Sequence, residues 1–357
     1  MARSTKTAEG IVFELELPDL KLERGGVVRS HRVRGWWLGP EGDSPSTPKS
    51  GVATVLLVHA LTGSAVAGGK DGWWEPVIGA GRALDPSKLR IVCINNLGSC
   101  YGSSGPGDAG FPEDRDTVVT TVDAARAQIQ ALDKLGIDKI HLATGGSLGG
   151  MIVLALGALA PTRFERLMPV ACTAASSSWV IGWNHVAREV LRLDPGYPDK
   201  VTRGLEIARQ IAMLTYRAEP GLDVRQHRQL PPEPGFEGYR IHSYLTQQGK
   251  LLRGRFNARS YEILLGMMDS HDLLRPFPGE SVPAVSLIRA ATLAVDIDSD
   301  QLFTPAQSDD LARRLSRNGV SVQRATIQSA YGHDAFLIEW AALERLLQSA
   351  LALPSGR

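Results

Sequence analysis

Cysteine is scarce in this chain, with Cys93, Cys100 and Cys172 the only three among 357 residues. An odd count without CxxC spacing excludes a disulfide framework and argues against a zinc site. Thiols of this kind suit a reducing cytoplasm. An excess of charge of one sign is also missing: 39 Lys and Arg face 38 Asp and Glu. No general field therefore draws in nucleic acid or an anionic membrane, and neither is expected as a partner. No apolar run approaches the roughly 18 residues that a membrane span needs. The opening MARSTKTAEG has no apolar signal-peptide core, so we expect a soluble, unexported protein. Internal repeats are absent as well.

What is present excludes disorder. Hydrophobic residues make up 43% of the chain, enough to bury a sizeable core in one large α/β domain or two domains. Residues 39–51, GPEGDSPSTPKSG, are too rich in Pro, Ser and Gly for a helix or central strand, and read as a connection from an early hairpin to the core. From there short apolar runs alternate with longer amphipathic ones, the pattern of βαβ units and a mostly parallel sheet. Strands are expected at 54–60, 90–96, 139–145, 166–172, 292–298 and 322–328. A helix is expected within 117–137, where Val118, Val122, Ala125, Ile129 and Leu132 recur at helical spacing. The alternation lapses between about 174 and 283, where three helical segments and a Pro-rich loop, 228–240, read as a helical insertion. The expected architecture is a core of residues 1–173 and 284–357 with a helical cap of residues 174–283.

The first chemical signal is GGSLG at 145–149, where a strand ends and an apolar helical run begins. A nucleophile on a strained strand-to-helix turn needs small neighbours, because the backbone is crowded while the hydroxyl is presented above the sheet. Ser147 is the candidate. A serine hydroxyl is a weak nucleophile at neutral pH and needs a base oriented by an acid. His333, in AYGHDAF after the last strand, is the best-placed histidine, whereas His141 within a strand reads as structural. Asp296, Asp298 and Asp300 compete for the acid, with the strand end favouring Asp298 or Asp300. An oxyanion would take backbone N–H groups from Leu148, after the nucleophile, and from the HALTG turn at 59–63.

At this point the residues carry a resemblance. LLVHALTG, DGWWEPVIGAGRALD, CINNLGSCYGSSGP, TGGSLGGM, EIARQIAMLTYR, HSYLTQQGKLLRGRFNARSY, IDSDQLF and AYGHDAFLIE, in this order, resemble the homoserine O-acetyltransferase family of the α/β-hydrolase superfamily over about residues 10–350. The resemblance implies an α/β-hydrolase fold and a ping-pong transfer of acetyl from acetyl-CoA to the hydroxyl of homoserine, in methionine biosynthesis. Ser147, Asp300 and His333 would be the triad, and Leu61 and Leu148 the oxyanion donors. Arg209, Tyr216, Asp334 and Asn95 would hold the acceptor. Acetyl-CoA would be a co-substrate, with no metal and no bound cofactor, and the protein a homodimer joined through its helical cap. A zwitterionic acceptor needs a cation for its carboxylate and an anion for its ammonium, which Arg209 and Asp334 supply. Seven residues are about two helical turns, so Arg209 and Tyr216 can share a face.

The chain also departs from the family pattern. A block close to NVLGGCKGSTGP reads NNLGSCYGSSGP, changing Asn96, Ser99 and Tyr101, and Val122 stands where an arginine is common. Succinyl-transferring relatives tend to carry an arginine near Leu302, and a neutral residue there gives a succinate carboxylate no partner. The alternatives are serine O-acetyltransfer, homoserine or serine O-succinyltransfer, a plain esterase and a non-catalytic scaffold. Trp179, Trp183, Met267 and Met268 are open to surface, tunnel or core roles.

Overall fold

The computed structural model describes residues 3–7, 9–228 and 238–355. Three outer strands, β1 (Arg3–Thr7), β2 (Gly10–Glu16) and, after a short pair β3 (Leu20–Lys21) and β4 (Val27–Val28), β5 (Arg32–Leu38), form an antiparallel wing. The wing joins β7 (Leu89–Ile94), itself parallel to β6 (Ala53–Val58). The sheet then continues in parallel through β8 (Leu142–Gly146), β9 (Arg166–Val170), β10 (Ala291–Ile297) and β11 (Val322–Ile327). Its nine strands run in the order β1-β2-β5-β7-β6-β8-β9-β10-β11.

The central strands read as continuous apolar runs because both faces are covered. Leu56, Val58, Val92 and Ile94 point into one core, and the alternate Val55, Leu57, Ile91 and Cys93 into the other. The first core is closed by α1 (Thr121–Lys134) and α2 (Leu148–Leu159), the second by α9 (Trp340–Ala352). Helix α8 (Pro305–Arg317) lends Leu311 and Leu315 to the first.

All six expected core strands form, with ends moved by a few residues. β8 starts at Leu142 because Ile140 makes only an isolated bridge to Phe164, outside the ladder. Helix α1 starts at Thr121 because Thr120 and Asp123 close a reciprocal capping box. It ends as Gly136, at φ 66°, lets Ile137 N–H reach the Leu132 carbonyl at 2.9 Å.

Between β9 and β10 lie α3 (Ser178–Arg192), α4 (Arg203–Tyr216), α5 (Glu219–Gln226), α6 (Arg240–Arg253) and α7 (Ala258–Asp269). The sequence reading finds three of these and misses α5 and α6. In α6 only Gly249 and Leu252 are buried, so its apolar signal is thin. It docks through the absence of a side chain: a Cβ on Gly249 would lie 2.6 Å from the Glu206 carbonyl oxygen. Of the Pro-rich loop, residues 229–237 lie outside the described residues. Met267 and Met268 are core residues, whereas Trp179 is 56% exposed and Trp183 half-buried against it. Among the described residues no helix is long and apolar enough to cross a membrane.

The 39–51 segment does connect β5 to β6, and a buried ion pair anchors it. Arg90 Nε and Nη2 donate to the two carboxylate oxygens of Asp43 at 3.0 and 2.7 Å, the Trp37 indole donates to the same carboxylate, and the guanidinium lies 4.9 Å over the Trp37 ring. Replacing Arg90 by Ala strands a buried carboxylate. Chemical denaturation of Arg90→Ala is expected to show a loss of roughly 3 to 5 kcal/mol; a loss below about 1 kcal/mol, the range of an exposed pair, would contradict this account.

Candidate active site

The carboxyl ends of the parallel strands converge on one edge, where open α/β sheets bind their ligands. β8 delivers Ser147, β10 delivers Asp300 and β11 leads into a short 3-10 segment, Gly332–Leu337, that carries His333.

Ser147 sits at φ 57°, ψ −126°, a strained conformation for a residue with a side chain. Its surroundings explain the glycines. A Cβ on Gly145 or on Gly149 would lie 2.3 or 2.2 Å from one atom, the Val58 carbonyl oxygen at the end of β6. A Cβ on Gly146 would run into the Phe336 ring at 2.4 Å. The Ser147 N–H is tied to the Val170 carbonyl at 2.9 Å. The strand, the sharp turn and the helix that starts at Leu148 are thus packed too closely for any larger residue.

His333 is 2% exposed, with Phe303, Phe336 and Tyr216 rings 5.3 to 5.7 Å from its own. Its Nδ1 is 2.7 Å from Asp300 Oδ2, while Asp300 Oδ1 accepts the N–H groups of Leu302 at 2.8 Å and Phe303 at 3.0 Å. A carboxylate only accepts, so Nδ1 carries the proton and Nε2 has a free lone pair. That Nε2 is buried and has no hydrogen-bond partner among the described residues. Burial opposes charge on the ring, but the attraction and hydrogen bond of Asp300, with Asp334 beyond, outweigh it and hold the pKa above the usual histidine value.

The three competing aspartates separate cleanly. Asp296 is buried in the strand against Arg324 at 2.8 Å, and Asp298 accepts the Ser329 N–H at 2.9 Å, so only Asp300 meets the histidine. His141 lies elsewhere, against Glu165 and Arg166. Leu61 lies buried in the 60–63 turn after β6, and Leu148 is the first residue of α2.

Three of the four acceptor candidates, Arg209, Tyr216 and Asp334, lie together. Arg209 lies 5.6 Å over Tyr216, and Tyr216 lies 5.7 Å from His333. Burial pushes the Tyr216 hydroxyl pKa up, with Arg209 pulling it down and Asp334 adding to the rise. Asp334 is already paired with Arg217 at 3.2 Å. Asn95 is buried at the end of β7, near His59, and its side chain makes no well-formed hydrogen bond among the described residues.

Two residues of this cluster escaped the sequence reading. Tyr261, on α7, is buried beside Arg209 and Tyr216, and burial pushes its hydroxyl up to about 12. Arg217 directly follows Tyr216, yet nothing in a one-dimensional pattern shows that it turns toward Asp334. Of the positions that depart from the family pattern, Val122 belongs to the core, and Leu302 is buried with its N–H on Asp300. Among the described residues no group of three His, Cys, Asp or Glu is placed to hold a metal ion.

A family model of the α/β-hydrolase fold matches residues 53–339. Homoserine O-acetyltransferase of Nostoc punctiforme is 36% identical over 94% of both chains, and that of Moorella thermoacetica 37% identical over 85% of this chain and 87% of its own. The crystal structure of homoserine O-acetyltransferase from Bacillus anthracis superposes with a TM-score of 0.86 over 97% of this chain and 99% of the other. At 20% identity that match speaks for the fold.

The geometry sets the pH dependence of any base catalysis here. His333 must lose its proton to act as a base, so the rate should rise with pH through a pKa above the ordinary histidine value. In Asp300→Asn the main raising influence is gone, leaving only Asp334 against burial, so the acid limb of kcat/KM should move to lower pH. The plateau should fall about 10⁴-fold as the tautomer is lost. A pH–rate profile with an unmoved acid limb would refute this electrostatic account.

Proposed function

The chain belongs to the homoserine O-acetyltransferase family of the α/β-hydrolase fold, and on that premise we propose how its own residues carry an acetyl group from acetyl-CoA to the hydroxyl of L-homoserine, a step of methionine biosynthesis. Ser147 Oγ attacks the thioester carbonyl carbon while His333 Nε2 takes the hydroxyl proton. The oxyanion is met by the Leu61 and Leu148 N–H groups. Collapse expels the CoA sulfur, which leaves with the proton from His333, and acetyl-Ser147 remains. The homoserine hydroxyl then gives its proton to Nε2 and attacks the acetyl-serine carbonyl. Collapse returns the proton to Ser147 and releases O-acetylhomoserine.

One observation carries this reading: a buried imidazole with one nitrogen on Asp300 and the other without a partner among the described residues, in a chain whose β8 ends in a serine on a strained turn. Arg209 is the cation for the acceptor carboxylate, Asp334 the anion for its ammonium, and Tyr216 and Asn95 complete the acceptor site in this reading. Since Asp334 pairs with Arg217, the ammonium has to share that carboxylate. Leu302 is apolar and 4% exposed, so an acid-bearing acyl group finds no cation there and acetyl is the donor group.

In this reading residues 174–283 form the cap over a core of residues 1–173 and 284–357. The protein acts in the cytoplasm on small molecules, with its three cysteines free. It pairs as a homodimer through the cap, whose α3 side exposes Trp179 and Val186 at 56% and 42%.

Two experiments test the proposal. With acetyl-CoA alone the enzyme should gain the mass of one acetyl group on Ser147, and Ser147→Ala should gain none and lose turnover; a variant that still transfers acetyl would end the nucleophile assignment. Arg209→Ala should raise the homoserine KM by tenfold or more, on the order of one lost charged hydrogen bond, while the first half-reaction keeps its rate. Equal losses in both half-reactions would remove Arg209 from the acceptor site.

A further inference from the structure

We infer that Arg255, in the link between α6 and α7, is a positioning residue for the oxyanion turn and relays its positive charge through two peptide units to the Leu61 N–H. The inference rests on the reading of Leu61 as an oxyanion donor.

The turn runs from Ala60 to Gly63, closed by the Gly63 N–H on the Ala60 carbonyl at 3.0 Å. Arg255 Nη1 donates to the Thr62 carbonyl at 2.7 Å and to the Tyr101 hydroxyl at 2.7 Å, using both of its hydrogens. Peptide units are planar, so the Thr62 carbonyl and the Gly63 N–H move as one plate, and the Ala60 carbonyl and the Leu61 N–H as another. The contacts therefore form one continuous chain. The guanidinium holds the first plate, the first plate's N–H holds the second plate's oxygen, and the second plate's N–H is the donor at issue. Each bond polarises the next in the same sense, so a cation at one end strengthens the N–H at the other.

The second plate is also held from inside. Asn96 N–H points at His59 Nε2 at 3.0 Å, and a backbone amide can only donate, so Nε2 accepts and Nδ1 carries the proton. Nδ1–H then donates to the Ala60 carbonyl at 2.8 Å. The Asn96 side chain caps the His59 carbonyl at 3.1 Å. Tyr101 turns its hydroxyl to Arg255 and packs edge-on to Phe256 at 5.6 Å. The outer half of the clamp comes from the helical segment and the inner half from the sheet. The oxyanion donor reaches its full strength only when the two are seated together.

The test compares wild type, Arg255→Ala and Arg255→Lys. Single-turnover acetylation of Ser147 by acetyl-CoA, inhibition by phenylboronic acid and thermal melting are measured on each. The boronic acid is bonded by Ser147 Oγ and presents a tetrahedral oxygen to the hole. Arg255→Ala should slow acetylation roughly tenfold, a fraction of the 10²- to 10³-fold loss on deleting an oxyanion donor. Its affinity for the boronic acid should fall by the same factor, and Arg255→Lys should regain most of both. A purely structural role would lower the melting temperature without moving the acetylation rate and the boronic acid affinity in parallel. Arg255→Ala within twofold of wild type in both readouts would overturn the inference, as would slowed acetylation with unchanged boronic acid affinity. A wild-type enzyme that forms no acetyl-Ser147 would instead sink the acyl-enzyme reading, and the inference with it.

Discussion

One carbonyl oxygen sets the constraint on which the turn at Ser147 depends. Val58 O, at the end of β6, faces the places where side chains on Gly145 and Gly149 would stand, leaving no room for either. That close approach lets β8 turn straight into α2 and leaves Ser147 in a strained conformation at the top of the turn. The same strand end then runs into His59 and the 60–63 turn. A single strand terminus therefore fixes both the nucleophile's turn and the segment assigned to the oxyanion. Crowding rather than any attractive contact is what the rest of the site is built around.

Electrostatics divides the buried histidines by their neighbours. His59 and His271 are both buried, with carbonyl partners at Ala60 and Thr173, and burial lowers each to about 4. They are neutral hydrogen-bonding struts. His333 is equally enclosed, yet Asp300 reverses the sign of its shift. A carboxylate placed 2.7 Å away is what separates the proposed base from a strut.

Much of this was legible in one dimension. The strands follow from apolar runs covered on both faces, and Ser147, His333 and the strand-end aspartates follow from their order along the chain. The choice among Asp296, Asp298 and Asp300 did not follow from spacing. All three lie within five residues, and only the turn after β10 decides which carboxylate swings toward the histidine. Helix α6 was illegible because it packs through Gly249 and a few apolar contacts rather than a broad apolar face. Tyr261 and Arg217 were missed because their partners are distant in sequence or come from another element.

By itself the sequence determined the class of chemistry. A glycine-flanked serine after a strand, an acid after a later strand and a histidine after the last admit few folds and few reactions, because a weak nucleophile demands a base and an acid, and the order in which they come is a mark of the fold. Eight ordered blocks narrowed it to one family. Tertiary structure alone decided how the parts are tuned: the Asp334–Arg217 pair, the Tyr216–Tyr261–Arg209 cluster and the grip of Arg255 on Thr62. The physical reason is range. Local propensity and periodicity act over a few residues, whereas a hydrogen bond or a desolvated charge depends on groups brought together from separate elements, here as far apart as the 193 residues between Thr62 and Arg255.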